Sequence, residues 1–540
     1  MSIYSKNSDN VINVENFGAR GDGSTSDVTA VQNAVNAASN KILLFPAGGT
    51  YYLPSSITLS NSCTIDANGA TLQGSGVGSD NDLFNCATSI DLKVRGGVFT
   101  DCRHAFKFTT AFDSLAVSQA EFTNSVSPLL VYAVDSSGSI GVHNCRFSNV
   151  ECGVDIQSCA IKNVDVSHNR FDNVRYQTVA TRAAPLDKKI VAGFWYQSTA
   201  GNTSAVCSNN YVEDVVGPPE GEVPAEPEVH GLGVTLALTD STDCVFSGNV
   251  IKNIVGVSGG TEGNEGLLGR SRRVIIDSNH LYNAGSREAC IYAKGSNYHK
   301  ISNNIVEMSL DRDDWTNTRG VISTGSGCDI TDNKFINVYT GIYSRAVSAQ
   351  YVGNEFINIG NICIALALES GAEHALTVVD NNRVDSHSIS LFRDVTAGAE
   401  QHGDFILRNN VFKGTGYLAT IKGGLNILIN DNFVKRTPTG TDRELISISA
   451  PASGIFIQNN QFVEFENVNP DGRIITGSST NTPRMFITNN YFGVGTYALW
   501  LRDQVYEDLI VRDNQYFDCS AVNYTNVDVS GVEIVVQTTA

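Results

Sequence analysis

The chain contains 540 residues, 41% of them hydrophobic and 17% charged, and its formal net charge at pH 7 is −19. No stretch approaches the roughly 20 consecutive apolar residues of a membrane span, and no charged-then-apolar leader opens the sequence, so we expect no membrane insertion. The acidic balance argues against nucleic acid as a partner, because its recognition requires a basic face. An anionic substrate stays open, because a local basic groove can lie on an acidic body.

The first predicted element is an amino-terminal cap. The segment Val14–Gly23 (VENFGARGDG) leads into a helix that we expect Ser24 or Ser26 to cap. The buried stripe of this helix is predicted to contain Val28, Val31, Ala34, Val35 and Ala38. A chain of stacked repeats needs such a cap, because its first repeat would otherwise expose core side chains and free strand edges. We therefore assign residues 1–60 to an N-terminal segment and cap.

Twelve cysteines are scattered along the chain without a CxxC pair: Cys63, Cys86, Cys102, Cys145, Cys152, Cys159, Cys207, Cys244, Cys290, Cys328, Cys363 and Cys519. Several lie inside apolar strands, where a free cysteine behaves as a small hydrophobic residue. We predict that they are reduced core residues of a protein made in a reducing cytoplasm. We predict neither a metal site nor another cofactor.

An asparagine followed two residues later by an apolar residue recurs through most of the chain. The series is Asn144, Asn169, Asn210, Asn249, Asn279, Asn304, Asn333, Asn354, Asn382, Asn410, Asn432, Asn460, Asn490 and Asn514. Most successive gaps lie between 21 residues (Asn333 to Asn354) and 30 residues (Asn249 to Asn279). Self-similarity at such a period is typical of a solenoid, in which each repeat contacts only its neighbours.

Three short strands are predicted in each repeat. One alternating strand precedes each asparagine, as at Val164–Val166, and a third strand follows about half a repeat later, as in GVDI at 153, GFWY at 193, GVTL at 233 and GIYS at 341. Asparagine tolerates the left-handed backbone of a tight corner, and stacked asparagines can form a hydrogen-bonded ladder. We predict an all-β, right-handed parallel β-helix over residues 61–520, followed by a C-terminal strand or cap at 521–540 that includes Val527–Val536.

The opening FGARGDG, a short helix and LLFPAGGTYYL resemble the start of pectate-lyase-like β-helix proteins, notably phage tailspikes and depolymerases. This motif covers residues 11 to about 60, and the asparagine repeats extend the resemblance to about residue 517. The resemblance implies a homotrimer that binds and cleaves a bacterial surface polysaccharide (capsule, O-antigen or exopolysaccharide). It also implies synthesis in the host bacterial cytoplasm and a place in the phage virion, with a tail or baseplate protein as a further partner.

Three insertions interrupt the regular spacing. The two longest gaps are 41 residues, from Asn169 to Asn210, and 39 residues, from Asn210 to Asn249. They contain loops at about 177–192 and 217–230, and a third, glycine-rich loop lies at 257–266. Because loops at one corner of neighbouring coils emerge side by side, we expect them to form one wall of a groove. Neutral loop variation is the alternative, because solenoids tolerate insertions at low cost.

A column of side chains is predicted beside that wall. We align the third strands of successive coils by their apolar alternation. The residue directly before the small residue that begins each strand is then Cys152, Ala192, His230, Glu265, Glu288, Arg319 and Thr340, in chain order. Neighbouring strands lie ~4.8 Å apart, so Glu265 and Glu288 would be adjacent carboxylates flanked by His230 and Arg319. Two carboxylates roughly 5–9 Å apart are the catalytic groups of a glycosidase. The alternatives are that both glutamates are solvated turn residues, or that the alignment slips by one residue.

Outward positions on the same strands supply candidate substrate-binding residues: Trp195, Gln197, Arg270, Tyr292, Lys294, Tyr343 and Arg345, with Trp315 in the next loop. Aromatic faces pack against sugar rings, and arginine forks hold carboxylates or hydroxyls. Trp195 has the most weight, because the sequence contains only three tryptophans. Each of these residues could instead be an ordinary exposed side chain or a subunit contact. The next acidic candidates are Glu228, Asp240 and Asp243.

Three functions remain open at this point. An endo-acting hydrolase would use one glutamate to protonate the leaving oxygen and the other to activate water or attack. A polysaccharide lyase would need a base, such as Lys294, His230 or Tyr292, and a cation that neutralises a uronate, such as Arg270, Arg319 or Arg345. A non-catalytic adhesin would only hold its glycan. We favour hydrolysis, because the sequence offers more acidic candidates than convincing combinations of a base and a cation.

Overall fold

The structure is a computed structural model. It describes residues 10–78, 80–86, 88–110, 112–132, 134–177, 191–199, 203–217, 236–239, 243–255, 267–284, 289–294, 298–309, 318–367, 375–385, 390–395, 403–422, 424–436, 444–448, 452–463, 473–477, 484–493, 495–502, 508–517, 519–525 and 533–534. The chain divides into two compact units, Met1–Tyr292 and Ala293–Ala540. Among the described residues, no helix is long and apolar enough to span a membrane.

The first unit consists of coils that each add one strand to three parallel sheets, named A, B and C. Sheet A contains Val11–Asn13, Ile42–Leu44, Cys63–Asp66, Asp91–Arg95, Ser114–Ser118, Asp135–His143, the second half of Cys152–Ser167, Ser204–Ser208, Asp243–Ser247 and Arg273–Asp277. Sheet B contains Asp22–Ser26, Thr50–Tyr52, Thr71–Gln73, Val98–Cys102, Glu121–Ser125, Arg146–Val150, Arg170–Arg175, Tyr211–Val216, Val250–Val255 and His280–Tyr282. Sheet C contains Ile57–Leu59, Asp82–Cys86, His104–Phe108, Leu129–Tyr132, the first half of Cys152–Ser167, Ala192–Ser198, Leu236–Thr239, Leu267–Arg270 and Ile291–Lys294.

The second unit repeats the same three-sheet plan. Sheet A contains Tyr298–Ser302, Gly327–Thr331, Ser348–Val352, Leu376–Asp380, Asp404–Arg408, Gly424–Asn430, Ala452–Gln458, Arg484–Thr488, Asp508–Arg512 and Glu533–Ile534. Sheet B contains Ile305–Glu307, Lys334–Ile336, Glu355–Ile357, Arg383–Asp385, Val411–Gly414, Phe433–Arg436, Gln461–Val463, Tyr491–Phe492 and Gln515–Tyr516. Sheet C contains Arg319–Thr324, Thr340–Ser344, Ile362–Leu366, Ser390–Asp394, Tyr417–Ile421, Glu444–Ile448, Arg473–Gly477, Gly495–Arg502 and Cys519–Thr525. The predicted right-handed parallel β-helix is confirmed.

The amino-terminal helix differs from the prediction in its cap. A 3₁₀ helix, Val14–Phe17, and an α-helix, Val28–Ala37, precede the regular coils. Ser24 and Ser26 lie in the strand Asp22–Ser26, so neither caps the α-helix. Asp27 holds the N-cap position, yet its carboxylate makes no hydrogen bond to the helix. It accepts instead from the backbone N–H of Arg20 at 2.6 Å, which ties the preceding turn to the start of the helix.

The repeating asparagines form buried ladders within each unit. In the first unit, the backbone N–H and the side-chain amide of Asn169 donate to Oδ1 of Asn210 at 3.0 and 3.1 Å. The ladder then continues to Asn249 and Asn279. In the second unit the same bond runs without interruption through Asn304, Asn333, Asn354, Asn382, Asn410, Asn432, Asn460, Asn490 and Asn514. Each ladder satisfies buried backbone groups at a corner where strand pairing is interrupted.

The left-handed corner residue is not the ladder asparagine, as predicted, but the residue before it. Asn209, with φ 54°, precedes the ladder residue Asn210. Asn144 is itself left-handed, with φ 55°, and the next residue, Cys145, occupies the ladder position and donates its N–H to Asn169. The corner position and the ladder position require different side-chain directions. A left-handed residue turns its side chain out of the corner, whereas a ladder amide must point into it.

Aromatic stacks fill the core beneath sheet B. In the first unit Phe99, Phe122, Phe147 and Phe171 stack with centroid distances of 5.2, 5.0 and 4.8 Å. Because these spacings match the separation of neighbouring strands, identical side chains on successive coils pack face against face. The eleven cysteines whose side chains the structure describes are buried free thiols, and burial raises the pKa of Cys63 to about 11. Their placement as core residues agrees with the prediction.

The small residue that opens many sheet C strands is explained by this stack. A Cβ atom on Gly153 would lie 2.6 Å from the carbonyl oxygen of Gly193 and 2.7 Å from the ring of Phe171. In the second unit, a Cβ on Gly341 would meet the carbonyl oxygen of Cys363 and the ring of Phe356, both at 2.6 Å. At these two positions the chain therefore needs glycine, because a larger residue would collide with the core phenylalanine and the neighbouring backbone.

Gly341→Ala should lower the free energy of unfolding by about 1–3 kcal/mol, the usual cost of overpacking a filled core. Gly327→Ala is the matched control, because its Cβ would make only ordinary contacts, at 3.6 Å to Tyr298 and 3.8 Å to Ser348. Denaturant unfolding of both variants checks the prediction. Equal stability of the two would show that the core yields to the added methyl group.

Candidate functional site

The predicted column on sheet C is present in both units where the structure describes it. In the first unit Cys152 lies opposite Ala192, and in the second unit Arg319 lies opposite Thr340. The members His230, Glu265 and Glu288 lie outside the described residues. The proposed acid pair therefore stays a prediction from the sequence.

The second unit brings three predicted residues together on the outward face of sheet C. The guanidinium carbon of Arg319 lies 4.5 Å from the ring centroid of Tyr343, and that of Arg345 lies 5.7 Å from it. Both distances are within the range of a cation–π interaction. We name Arg319, Tyr343 and Arg345 the cation–aromatic patch.

Strand alternation explains how this patch is exposed. Ile342 is fully buried, so Tyr343, the next residue, points to the opposite face. Its partners across the sheet are Ile322 and Ala365, whose shorter side chains leave the ring standing above the strand surface. Arg345 is exposed, and its backbone N–H donates to Ser323. Two cations beside a partly exposed ring on a chain of net charge −19 form a surface suited to an anionic or hydroxyl-rich ligand.

The first unit carries a buried polar cluster on the outward face of sheet C. Asp155 lies opposite Trp195, and its carboxylate accepts from the amide of Gln157 at 2.9 and 3.0 Å and from the hydroxyl of Ser127 at 3.2 Å. The carboxylate of nearby Glu151 accepts from the backbone N–H of Gln177 at 2.8 Å. Burial of the Cys152 thiol, and after it the charges of Asp155 and Glu151, raise the pKa of that thiol well above its usual value.

Trp195 differs from its prediction in exposure. It alternates with the core residues Phe194 and Tyr196, so it lies on the outward face as expected, but its side chain is only 4% exposed. Asp155 and Gln157 on the same face are 1% exposed, which shows that this part of sheet C is covered. The expectation of an open stacking platform at Trp195 is therefore wrong. The indole N–H is buried without a hydrogen-bond partner in the described part of the chain.

Glu151 and Asp155 are acidic residues that the sequence analysis missed. The available signal was the alternation in GVDI, where Val154 and Ile156 are buried core residues and Asp155 therefore faces outward. Both carboxylates are buried, and they are a second pair of acidic candidates beside the insertion that begins near residue 177.

The same outward face continues toward the amino terminus with a neutral histidine. Nδ1 of His104 donates to the carbonyl oxygen of Ser127 at 2.7 Å, and Nζ of Lys107 donates to Asp82 at 3.0 Å. Burial lowers the pKa of His104 to about 4. His104 is therefore uncharged at neutral pH, and its role is to hold the backbone of Ser127, whose hydroxyl binds Asp155.

The other predicted residues are placed as follows. Gln197 is half-buried and lies opposite Thr239. Tyr292 is 8% exposed. Asp243 lies in sheet A, not sheet C, and forms an exposed ion pair with Arg273 at 2.6 Å. The side chains of Arg270 and Lys294, and all of Trp315, Glu228 and Asp240, lie outside the described residues. Among the residues that the structure describes, no three His, Cys, Asp or Glu side chains are grouped closely enough to hold a metal ion.

Comparison with known proteins finds a family model for rhamnogalacturonase A/epimerase, pectate lyase-like, which matches residues 11–181. No curated protein matches the chain. Among solved structures, a mutant tailspike protein of the E. coli bacteriophage HK620 in complex with a pentasaccharide is 12% identical, with a TM-score of 0.46 and coverage of 82% of this chain and 79% of the other. The Dettilon tailspike protein is 13% identical, with a TM-score of 0.32 and coverage of 69% and 66%. The family model confirms the resemblance to pectate-lyase-like β-helix proteins over residues 11–181.

Proposed function

We propose that this protein binds a bacterial surface polysaccharide and depolymerises it by hydrolysis, as a homotrimeric spike of a phage virion. The observation that carries the proposal is the cation–aromatic patch, where Arg319, predicted as a catalytic residue, meets the predicted glycan-binding residues Tyr343 and Arg345. The pectate-lyase-like opening over residues 11–181 supports a polysaccharide as the substrate class. The trimer comes from the resemblance alone, and sedimentation showing a monomer at micromolar concentration would contradict it.

In the proposed reaction, Glu265 and Glu288 act as a pair. One carboxylic acid donates its proton to the glycosidic oxygen as the bond to the sugar carbon breaks. The other carboxylate removes a proton from the attacking water, or attacks the sugar carbon itself and is then released by water. Both routes consume one water and create one reducing end for each bond cleaved.

The experiment is an assay of reducing ends with purified capsules, O-antigens and exopolysaccharides from a panel of bacterial strains. Hydrolysis should release reducing ends from at least one of them without a rise in near-ultraviolet absorbance. Binding without release of reducing ends would make the protein an adhesin. No binding to any member of a broad panel would contradict the proposal.

A polysaccharide lyase is the second candidate, and the cation–aromatic patch is also the observation that favours it. Two guanidinium groups above one ring suit the carboxylate of a uronate, which β-elimination must neutralise. Elimination leaves a carbon–carbon double bond in the product in place of an added water. Products that absorb in the near ultraviolet would therefore assign the lyase.

Arg345→Ala should weaken binding of an anionic bacterial polysaccharide by roughly 10- to 100-fold, because a charge-assisted hydrogen bond contributes about 1.5–3 kcal/mol. Arg345→Lys keeps the charge but loses the planar fork, so its loss should be smaller. The control is Arg383→Ala, which removes an exposed arginine of the same unit on sheet B. Titration calorimetry gives the three affinities, and an equal loss in Arg345→Ala and Arg383→Ala would show only a general effect of charge.

A further inference from the structure

A cleft of about 750 Å³ lies in the last coils of the second unit, where the corner between sheets A and B meets the outer face of sheet B. Its volume falls within the range of small-molecule binding sites. We name it the corner cleft. Its lining residues are Asp431, Asn459, Asn460, Gln461, Val463, Asn489, Asn490, Tyr491, Asp513 and Gln515.

Two parallel rows of side chains line the corner cleft. The first row consists of the left-handed corner residues Asp431, Asn459, Asn489 and Asp513. In the second row, Gln461 lies opposite Tyr491, and Tyr491 lies opposite Gln515. Since successive coils are ~4.8 Å apart, the rows present polar groups at a regular spacing along the solenoid axis.

The neutral side chains of the two rows are available to a ligand. Asn459, Asn489, Gln461, Gln515 and Tyr491 make no side-chain hydrogen bond within the described part of the chain. At an earlier corner of the same unit, by contrast, the amide of Asn409 is engaged with Asp380 at 3.0 Å. The corner cleft therefore gathers four amides and one phenol whose donors and acceptors are unused by the fold.

The fold holds the base of the cleft rigidly and does not require the free amides. The ladder amide of Asn460 donates to Ile429, Gln458 and Asn490 at 2.9 to 3.0 Å, which fixes the backbone between the rows. Gly353 occupies the corner position in another coil of this unit, so a corner forms without a side chain. A rigid base with free polar groups is preorganised for binding.

The outward face of sheet B loses its charged pairs along the second unit. In its first coils the face carries charged pairs, such as Lys334 with Glu355 at 3.0 Å. The corresponding positions are the apolar Val411 and Phe433 in the two coils before the cleft, and the uncharged polar side chains Gln461, Tyr491 and Gln515 within it. Amides flanking an aromatic side chain are the groups that hydrogen-bond sugar hydroxyls and pack against the apolar face of a sugar ring.

We propose that the corner cleft is a second, non-catalytic site that binds an uncharged oligosaccharide. Asp431 accepts from the amide of Asn430 at 2.5 Å, and Asp513 lies 3.7 Å from the guanidinium of Arg512. Their remaining carboxylate oxygens accept hydrogen bonds from hydroxyl groups, and the charge of Asp431, which has no cation beside it among the described residues, repels a uronate carboxylate. The corner cleft therefore selects against the anionic glycans that suit the cation–aromatic patch. The inference rests on the proposed function only in taking a polysaccharide as the ligand class. It requires no cleavage at the cleft.

The test is calorimetric titration of the full chain with maltopentaose, cellopentaose and mannopentaose as neutral probes, and with pentagalacturonate as the anionic probe. At least one neutral probe should bind, and Gln515→Ala and Tyr491→Ala should each weaken that binding at least tenfold. Gln350→Ala is the matched control, because Gln350 is an exposed glutamine of the same unit on sheet A. This control should leave the affinity for a neutral probe unchanged.

The inference is overturned if no neutral probe binds, if Gln515→Ala binds as tightly as the wild type, or if pentagalacturonate binding depends on Tyr491. Gln515 is exposed, so its substitution leaves a folded chain even if Tyr491→Ala does not. Release of reducing ends from bacterial polysaccharide is measured on the same variants. Absence of release from the wild type contradicts the proposed function, whereas failure of the corner cleft leaves that release intact.

Discussion

Glu265→Gln and Glu288→Gln should each reduce cleavage of the bacterial polysaccharide by at least ~10²-fold, the usual contribution of general acid–base catalysis. Glutamine keeps the shape of glutamate but cannot exchange a proton, so binding of the glycan should persist. The wild-type pH–rate profile should be bell-shaped, with one limb for each macroscopic ionisation of the pair. Initial rates of reducing-end release and glycan affinity are measured for both variants.

Three comparisons locate the acid pair. Glu307→Gln changes a half-buried glutamate of sheet B and should leave the rate unchanged. If both Gln variants cleave at the wild-type rate while Asp155→Asn does not, the acid pair is Glu151 and Asp155 in the buried polar cluster. Loss of activity in His230→Ala or Lys294→Ala, together with products that absorb in the near ultraviolet, would assign the lyase.

Much of the fold could be predicted because every coil of the solenoid repeats the same pattern of strands and corners. An asparagine followed by an apolar residue recurs with the coil period, since every coil needs one ladder amide and one core side chain. The assignment of the left-handed residue failed because Asn209 and Asn210 are both asparagine, and only the backbone distinguishes them. The prediction of the helix cap failed for a related reason. Asp27 bonds the turn before the helix, a contact that propensity does not encode.

The candidate site could be predicted where strand alternation alone determines the exposure of a side chain. It could not be predicted where other segments cover the sheet. Arg319, Tyr343 and Arg345 meet because alternation and strand spacing put them on one face. Trp195 obeys the same alternation, yet it is buried. The period of the sequence indicates the face of the sheet on which a side chain lies. It does not indicate which other segments pack over that face. The corner cleft lay outside the prediction for a different reason, since its lining combines residues from a turn and a strand of several coils.

Asn410→Ala should lower the free energy of unfolding by about 3–5 kcal/mol, because it opens the ladder of the second unit at its middle. The side chain of Asn410 accepts the backbone N–H and the amide of Asn382 at 2.9 and 3.0 Å. It donates to Val379, Arg408 and Asn432 at 2.8 to 2.9 Å. Alanine leaves the Asn382 N–H buried without a partner among the described residues, which costs about 1–3 kcal/mol, and it removes the other hydrogen bonds of this amide, each of which contributes about 0.5–1.5 kcal/mol.

The neighbouring residue provides the matched control for this substitution. Asn409 is left-handed, with φ 56°, and among the described residues its exposed side chain bonds only Asp380, at 3.0 Å. Asn409→Gly therefore keeps the corner and should change stability by less than about 1 kcal/mol. Denaturant unfolding, or the unfolding rate if refolding is incomplete, compares the two variants. A cost for Asn409→Gly equal to that of Asn410→Ala would place the stability in the corner backbone and not in the ladder. A large cost for Asn410→Ala alone would identify the ladder amides as what holds successive coils in register.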